Sequence, residues 1–330
     1  RKPMEYTVGI VTYNRPDHIG RSLDSILAQT KQPLETIVVD DSTDRRTEDI
    51  VRDKQNLFET EGIELRYYSR EDGRTMPGAR NTVIREMSGD VVCFIDDDSI
   101  CTPEWLEHID GTYRANPDAA GVTGPALTTD EDLEPAIEIL RTAENQNKFT
   151  RFGEIAVESE RWVPREPVDV DNSIGANMSF RRTKLESIGG FDPDYKGPSI
   201  HEEMDVMARI RANDERIIYH PEVLVYHLEA ASGGANRRGK EQMERSYWGA
   251  RNLIRFRWKN FRKTFWIAFV RQLFYTRYVP APVWKQLGGA FLNRDPGPLG
   301  WLVGYIDGLR KETYRQSPQH SGSGLRRNQR

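Results

Sequence analysis

The sequence predicts an α/β fold, a doubly wound, Rossmann-like mixed sheet followed by a mostly helical C-terminal extension. Three observations predict it. Over the first hundred residues, short β-branched runs alternate with stretches of helical periodicity. Each run ends in conspicuous polar residues, at the place where such sheets bind ligands. Beyond residue 230 the strand signals stop, and aromatics interleave with Arg and Lys.

The elements follow in order. "YTVGIVTY" (6–13) is a strand, and "DHIGRSLDSILAQ" after it sets Ile19, Leu23, Ile26 and Leu27 on one helical face. "ETIVVDD" (35–41) repeats the strand signal, the polar segment from Asp44 to Asn56 reads as helix, and "IELRYYS" (63–69) as a third strand. "GARNTVIREMSGD" is a helix with Gly89 at its stop, "VVCFID" a fourth strand, and Pro103 opens the helix "PEWLEHIDGTYRA". This βαβαβ order implies parallel strands with helices on both faces.

From about residue 125 to 167 the pattern loosens, apart from one helical stretch, "EPAIEILRTAENQ", and a mobile or acceptor-facing insertion is expected there. "NSIGANMSFRR" (172–182) reads as a strand, "TKLESIGGFD" as a short helix stopped by Gly189 and Gly190, "HEEMDVMARIRAN" (201–213) as a helix, and "RIIYHPEVLVYH" (216–227) as a strand pair around Pro221. The expected domains are 1–230, divided into halves 1–100 and 101–230, a helical extension over 231–315, and a flexible tail over 316–330.

Bulk properties narrow the function. A net charge of −4 from 47 basic and 51 acidic residues gives no global pull toward nucleic acid. Cys93 and Cys101 suit neither a disulfide framework nor a zinc site, and they fit a reducing cytoplasm. No signal peptide opens the sequence and no run approaches a membrane span, so a cytoplasmic protein is expected.

The sharpest local signal is "VVCFIDDDSIC" (91–101), an apolar strand running into Asp96, Asp97 and Asp98. Adjacent carboxylates repel and resist burial unless a cation neutralises them. Mn²⁺ or Mg²⁺, which favours one or two carboxylates together with phosphate oxygens, would do so, and it implies a phosphate-bearing ligand. In an extended segment Asp96 and Asp98 point one way and Asp97 the other. A solvated loop or a helix N-cap before Pro103 is the bland alternative.

With these residues in view, the sequence resembles the inverting GT-A glycosyltransferases of family 2. The elements that carry the resemblance are "VGIVTYNRP" (8–16), "VVDDSTD" (38–44), "GARN" (78–81), "FIDDDS" (94–99), "GANMSFRR" (175–182), "GGFDPDY" (189–195), "HEEMDVMARIR" (201–211) and "YHPEVLVYH" (219–227), in that order. The resemblance implies a GT-A fold and transfer of a sugar from a nucleoside-diphosphate sugar to a hydroxyl of a glycan or polyprenyl-linked acceptor, by single displacement. It implies Thr12, Tyr13, Arg15, Asp40 and Asp41 around the base, with Arg80 and the backbone N–H groups near Gly78 at the diphosphate. It further implies Asp96 at the ribose, Asp98 at the metal, and Asp97 beside them.

The general base it implies is the second acid of a pair opening a helix, here Glu203 after Glu202, where the family carries Asp in place of this Glu. The helix macrodipole alone would also favour Glu202, Glu203 and Asp205 in a first turn. His227 matches a late histidine near the metal or diphosphate, and Ser232, Gly233 and Gly234 would form a loop on the phosphate side. Two alternatives stand beside this reading: a haloacid-dehalogenase-like phosphatase, since "FIDDDSI" mimics its nucleophile motif, and a non-catalytic nucleotide-sugar-binding protein.

Residues 247–278 interleave Trp248, Phe256, Trp258, Phe265, Trp266 and Tyr278 with Arg251, Arg255, Arg257, Arg262 and Lys263. Such a segment suits peripheral contact with the cytoplasmic face of a membrane, packing onto the rest of the chain, or an interface with another subunit.

Overall fold

Residues 3–70, 75–129, 132–133, 147–154, 162–228, 242–274 and 297–314 are described by the structure, a computed structural model. The chain divides into two compact units, one of Arg1–Thr150, Glu154–Tyr195 and Glu202–Arg238, the other of Arg151–Gly153, Lys196–His201 and Gly239–Arg330.

In the first unit, β1 (Tyr6–Thr12), β2 (Glu35–Asp40), β3 (Glu64–Ser69) and β4 (Val91–Asp96) pair in parallel. They join β6 (Ala119–Thr123), β8 (Val168–Val170), β9 (Asn177–Arg181) and β10 (Arg216–Tyr219) in an eight-stranded sheet of order β3-β2-β1-β4-β9-β6-β10-β8. β9 runs antiparallel between β4 and β6, and β8 antiparallel to β10, so the sheet is mixed. β5 (Ser99–Cys101), β7 (Ala126–Thr128) and β11 (Val225–His227) form a small second sheet, order β5-β11-β7.

Strand periodicity explains why "VVCFID" reads as continuously apolar. Val91, Cys93 and Ile95 enter a cluster with Ile19, Leu23 and Ile26 of α1 (Pro16–Leu27), Val51 and Phe58 of α2 (Arg46–Thr60), and Trp105 and Ile109 of α4 (Trp105–Ala115). Val92 and Phe94 enter a second, with Val83 of α3 (Met76–Glu86), Leu185 of α5 (Arg182–Ser187) and Met207 of α6 (Glu202–Arg211). Successive side chains leave opposite faces of the strand, so a strand covered by helices on both sides has no polar face. Burying each such large side chain contributes about 1.5–3 kcal/mol.

Several expectations need correction. α2 is Arg46–Thr60, not Asp44–Asn56, and α4 starts at Trp105, two residues past Pro103. Only Asn177–Arg181 of the stretch 172–182 is strand. The two strands of "RIIYHPEVLVYH" do not pair with each other: β10 joins the large sheet and β11 the small one, because the turn at Pro221 redirects the chain. Asp97 and Asp98 do not continue an extended strand; they form the turn between β4 and β5. The helical stretch at 134–146, the glycine loop at 232–234 and the tail lie outside the described residues, as do 275–278 of the basic aromatic segment.

The second unit is helical, with α7 (Gln242–Asn260), α8 (Phe265–Phe274) and α9 (Gly297–Tyr314). Ala250, Ile254, Trp258, Phe265 and Tyr305 form its core. Gly300, Gly304 and Gly308 recur every fourth residue of α9 and let it lie directly on α7: a Cβ at Gly304 would stand 2.0 Å from the Tyr247 carbonyl oxygen, and one at Gly300 2.1 Å from that of Met243. The Tyr247 hydroxyl donates to Asp307 Oδ2 at 2.7 Å, and Arg255 pairs with the buried Glu312 at 2.7 Å. Of the basic aromatic segment, Phe256, Trp258, Phe265, Arg251, Arg255 and Arg257 are buried, whereas Lys259, Arg262, Lys263 and Trp266 are exposed.

Candidate active site

The parallel strands bring the ends of β1, β2 and β4 to one rim, because Val11 pairs with Asp96 and Thr12 with Asp40. At the end of β2, Asp40 is buried, accepting from the Ser42 N–H at 2.7 Å and from the Tyr67 hydroxyl at 2.8 Å. Asp41 lies 3.3 Å from Arg70, which follows β3. Asn14 ties the β1 end to this turn: its N–H donates to Ser42 Oγ at 2.7 Å and its Oδ1 accepts from the Thr43 N–H at 3.0 Å. It does so in a left-handed conformation, φ 54°, which asparagine tolerates better than most residues. Tyr13 beside it is half-buried.

Thr12 and Arg15, expected around a base, face the acidic turn. Thr12 Oγ1 donates to Asp97 at 2.6 Å, and Arg15 Nη1 lies 3.0 Å from Asp97 and 2.8 Å from Asp98. β1 is the neighbour of β4, so its end abuts that turn. Ser22 of α1 fixes the turn further by donating to the Asp97 carbonyl oxygen at 2.7 Å. Burial first, then the Asp98 charge, push the Asp97 carboxyl up to about 7, against the pull of Arg15 and the Thr12 hydroxyl. Burial works against the Arg15 charge, but Asp97 and Asp98 outweigh it and hold Arg15 protonated.

Asp96, Asp98 and His227 each offer a ligand atom within 4.8 Å of the others. Antiparallel pairing of β11 with β5 sets His227 opposite Ser99, and the Leu228 N–H donates to the Asp98 carbonyl oxygen at 3.0 Å. His227 Nε2 thereby stands 3.1 Å from Asp98 Oδ1 and 3.8 Å from Asp96 Oδ2. Two carboxylates and an imidazole at one point fit a Mn²⁺-like cation, which accepts both donor types.

Arg80 departs furthest from expectation. It does not line an open, phosphate-facing rim: its side chain is 2% exposed, flanked by the rings of Phe94 and Phe191. Nη1 pairs with Glu202, and Nη2 donates to the Gly175 carbonyl oxygen at 3.1 Å and approaches Asp96 at 3.5 Å. Burial pulls Arg80 below its ordinary value, and Asp96 and Glu203 oppose that. A Cβ at Gly175 would stand 3.2 Å from this guanidinium, so a side chain there would press on the Arg80 tip. Gly78 also differs from expectation, since its N–H donates to the Thr75 hydroxyl that caps α3, at 3.3 Å.

Glu202 is buried against Arg80, whereas Glu203 is half-buried. Burial, supported by Asp96, raises the Glu203 carboxyl above the ordinary glutamate value, while its own backbone N–H and Arg80 pull the other way. Asp205 is occupied elsewhere, paired with Arg209 at 2.8 Å.

Arg70 and Ser22 were not among the expected site residues. Arg70 could have been found by the strand-end rule, which applies to β3 as to its neighbours. The partner of Ser22 is a backbone oxygen, which leaves no mark in sequence.

Residues 7–188 match the family model described as glycosyl transferase family 2. A glucosyl-dolichyl phosphate glucuronosyltransferase of Haloferax volcanii is 27% identical over 232 residues, 68% of this chain and 69% of that protein. A validoxylamine A glucosyltransferase of Streptomyces hygroscopicus subsp. limoneus is 26% identical over 58% of this chain but only 44% of its own length. Among solved structures, a mannosyltransferase from Pyrobaculum calidifontis in complex with GDP-Man and Mn²⁺ superposes with a TM-score of 0.55 at 21% identity, covering 95% of this chain and 88% of that one. S. aureus TarS 1–349 in complex with UDP-GlcNAc gives 0.58 at 18%, covering 95% and 92%. At such identities the structures establish the GT-A fold.

Proposed function

We propose metal-dependent, inverting sugar transfer for this chain, which belongs to glycosyl transferase family 2. The observation that carries the reading is the cluster of Asp96, Asp98 and His227, joined through Arg80 to the carboxylate pair that opens α6. Asp96, Asp98 and His227 would hold a divalent cation, which supplies charge neutralisation for a departing nucleoside diphosphate. That a fold neighbour was solved with GDP-Man and Mn²⁺ supports the choice.

Glu203 is the general base. It takes the acceptor hydroxyl proton as that oxygen bonds to the anomeric carbon, and the bond from that carbon to the diphosphate oxygen breaks on the opposite side. Glu202 is unsuited, because its charge is already committed to Arg80. Arg80 acts as a positioning residue, linking the metal-side Asp96 to α6. Asp41 and Arg70, with Tyr13, face the base, while Asp40, Thr12, Asp97 and Arg15 hold the rim in shape. Residues 1–230 carry the chemistry, nucleotide in the first hundred and acceptor beyond.

The acceptor is a lipid-linked glycan at the cytoplasmic membrane face, by analogy with the relative named for glucosyl-dolichyl phosphate. The family match disfavours the phosphatase alternative. The test is a panel of nucleoside-diphosphate sugars with Mn²⁺ or Mg²⁺, read by thermal stabilisation and then by transfer to a polyprenyl-linked sugar. Stabilisation by none of the panel, or by all of it without metal, would overturn the reading.

A further inference from the structure

Nine large hydrophobic side chains are exposed among the described residues, and six of them fall on two helices of the second unit: Trp266, Ile267 and Val270 on α8, and Leu299, Val303 and Ile306 on α9, each 48–57% exposed. A soluble surface scatters such residues singly, so their concentration asks for an occupant. Spacing shows that they are the outer faces of helices whose inner faces are already satisfied. Phe265 and Tyr305 enter the core, with Phe269 stacked on Tyr305 at 5.3 Å, so one packed unit carries both outer faces.

Along 262–270 and 299–313 the exposed charges have one sign. Arg262 and Lys263 are exposed immediately before α8, and Arg310 and Lys311 are exposed one turn beyond Ile306, with Arg310 continuing the stripe of 299, 303 and 306. Of the acids nearby, Glu312 is buried against Arg255, and the half-buried Asp307 accepts from Tyr247 and pairs with Lys311, so that pair adds no net charge. Apolar faces edged by cations, with no exposed acid along 262–270 or 299–313, match an anionic bilayer surface. At about 1.5 Å rise per residue, the ten residues of α8 cover about half the thickness of a hydrocarbon core, so α8 suits lying in the interface. Among the described residues no helix is long and apolar enough to cross a membrane.

We infer that the outer faces of α8 and α9 are a docking surface for anionic membrane lipid, with Trp266, Ile267 and Val270 together with Leu299, Val303 and Ile306 entering the interface and Lys263 and Arg310 meeting headgroups. This narrows the expected contact from the whole of 247–278, of whose described aromatics Phe256, Trp258 and Phe265 are buried, and adds α9. The inference rests on the lipid-linked acceptor proposed above, yet it is read without turnover.

The full chain is sedimented with vesicles of phosphatidylcholine alone and of phosphatidylcholine with phosphatidylglycerol. Binding is expected only to the anionic vesicles and weakens with salt. Trp266→Gln with Ile267→Gln lowers it by about tenfold or more. Lys263→Gln and Arg310→Gln each lower it by about fivefold. Leu57→Gln, an exposed leucine of α2, binds as the parent does and controls for general stickiness. No binding to either vesicle, or binding that ignores the α8 variant, overturns the inference. So does self-association that the α8 variant abolishes without vesicle binding, which would make the occupant a second copy. Vesicle binding without sugar transfer would sink the proposed function alone, and transfer to a soluble acceptor without vesicle binding would sink only this surface.

Discussion

Glu202 and Glu203 are adjacent and chemically alike, and one arginine separates their roles. Because Glu202 and Arg80 are both buried, each is tolerable only with the other. Arg80→Met is expected to destabilise the protein by about 3–5 kcal/mol in urea unfolding, and Arg80→Met with Glu202→Met to recover most of that. A double variant as unstable as the single one would show that the pair is not what Arg80 provides. For Glu203 the sign of the pH effect follows from its raised carboxyl. Only the ionised form accepts a proton, so kcat/KM rises with pH through the raised value, and the acid limb lies above the ordinary glutamate range of about 4.3. A carboxyl whose value is higher folded than unfolded costs stability as pH climbs from the unfolded value through the folded one. Glu203→Gln should therefore lose about 10²–10⁴-fold in turnover while gaining in Tm at neutral pH. An acid limb at the ordinary value, or a fall in Tm, would contradict this.

At the scale of elements, the sharpest contrast lies between two helical glycines. In α9 a Cβ at Gly304 would strike the Tyr247 carbonyl oxygen at 2.0 Å, whereas a Cβ at Gly111 in α4 meets nothing within 4 Å. Gly304→Ala is expected to lower stability by about 1–3 kcal/mol by forcing α9 off α7. Gly111→Ala should raise it by about 0.5–1 kcal/mol, through the smaller entropy lost on folding. Thermal melts that move both the same way would refute the packing argument. Elements also show what the sequence could and could not reveal. β1, β2 and β4 were legible because strands buried on both faces are long apolar runs, and their polar ends stood out against them. β5, β7 and β8, at three residues each, are too short to show a period, and their pairing depends on partners distant in the chain. The three aspartates pointed to a cation site because charge density after an apolar run is a local signal. The turn of Arg80 toward Glu202, 122 residues away, depends on how β4, β9 and α6 come together, and "GARN" contains nothing of that.

At the scale of the whole molecule, the rim is assembled from segments that meet only when the large sheet closes. Thr12 reaches Asp97 across 85 residues, and His227 arrives through a strand of the second sheet. Carboxylates gathered this way repel one another in the folded state and are dispersed in the unfolded chain, so a cation that binds the folded cluster favours folding by mass action. Mn²⁺ with the cognate nucleotide at about a hundred times its Kd should add about 2.7 kcal/mol to unfolding of the first unit. Asp98→Asn should remove the metal-dependent part of that gain, and chelation should do the same to the parent protein. Without ligand, Asp98→Asn should not be strongly destabilising: Arg15 retains Asp97, and one of two crowded negative charges is gone. The measurement is a melt of parent and variant with and without Mn²⁺, nucleotide and chelator. A nucleotide-induced gain that survives both chelation and Asp98→Asn would place the ligand away from the acidic turn, and the metal assignment would fall with it.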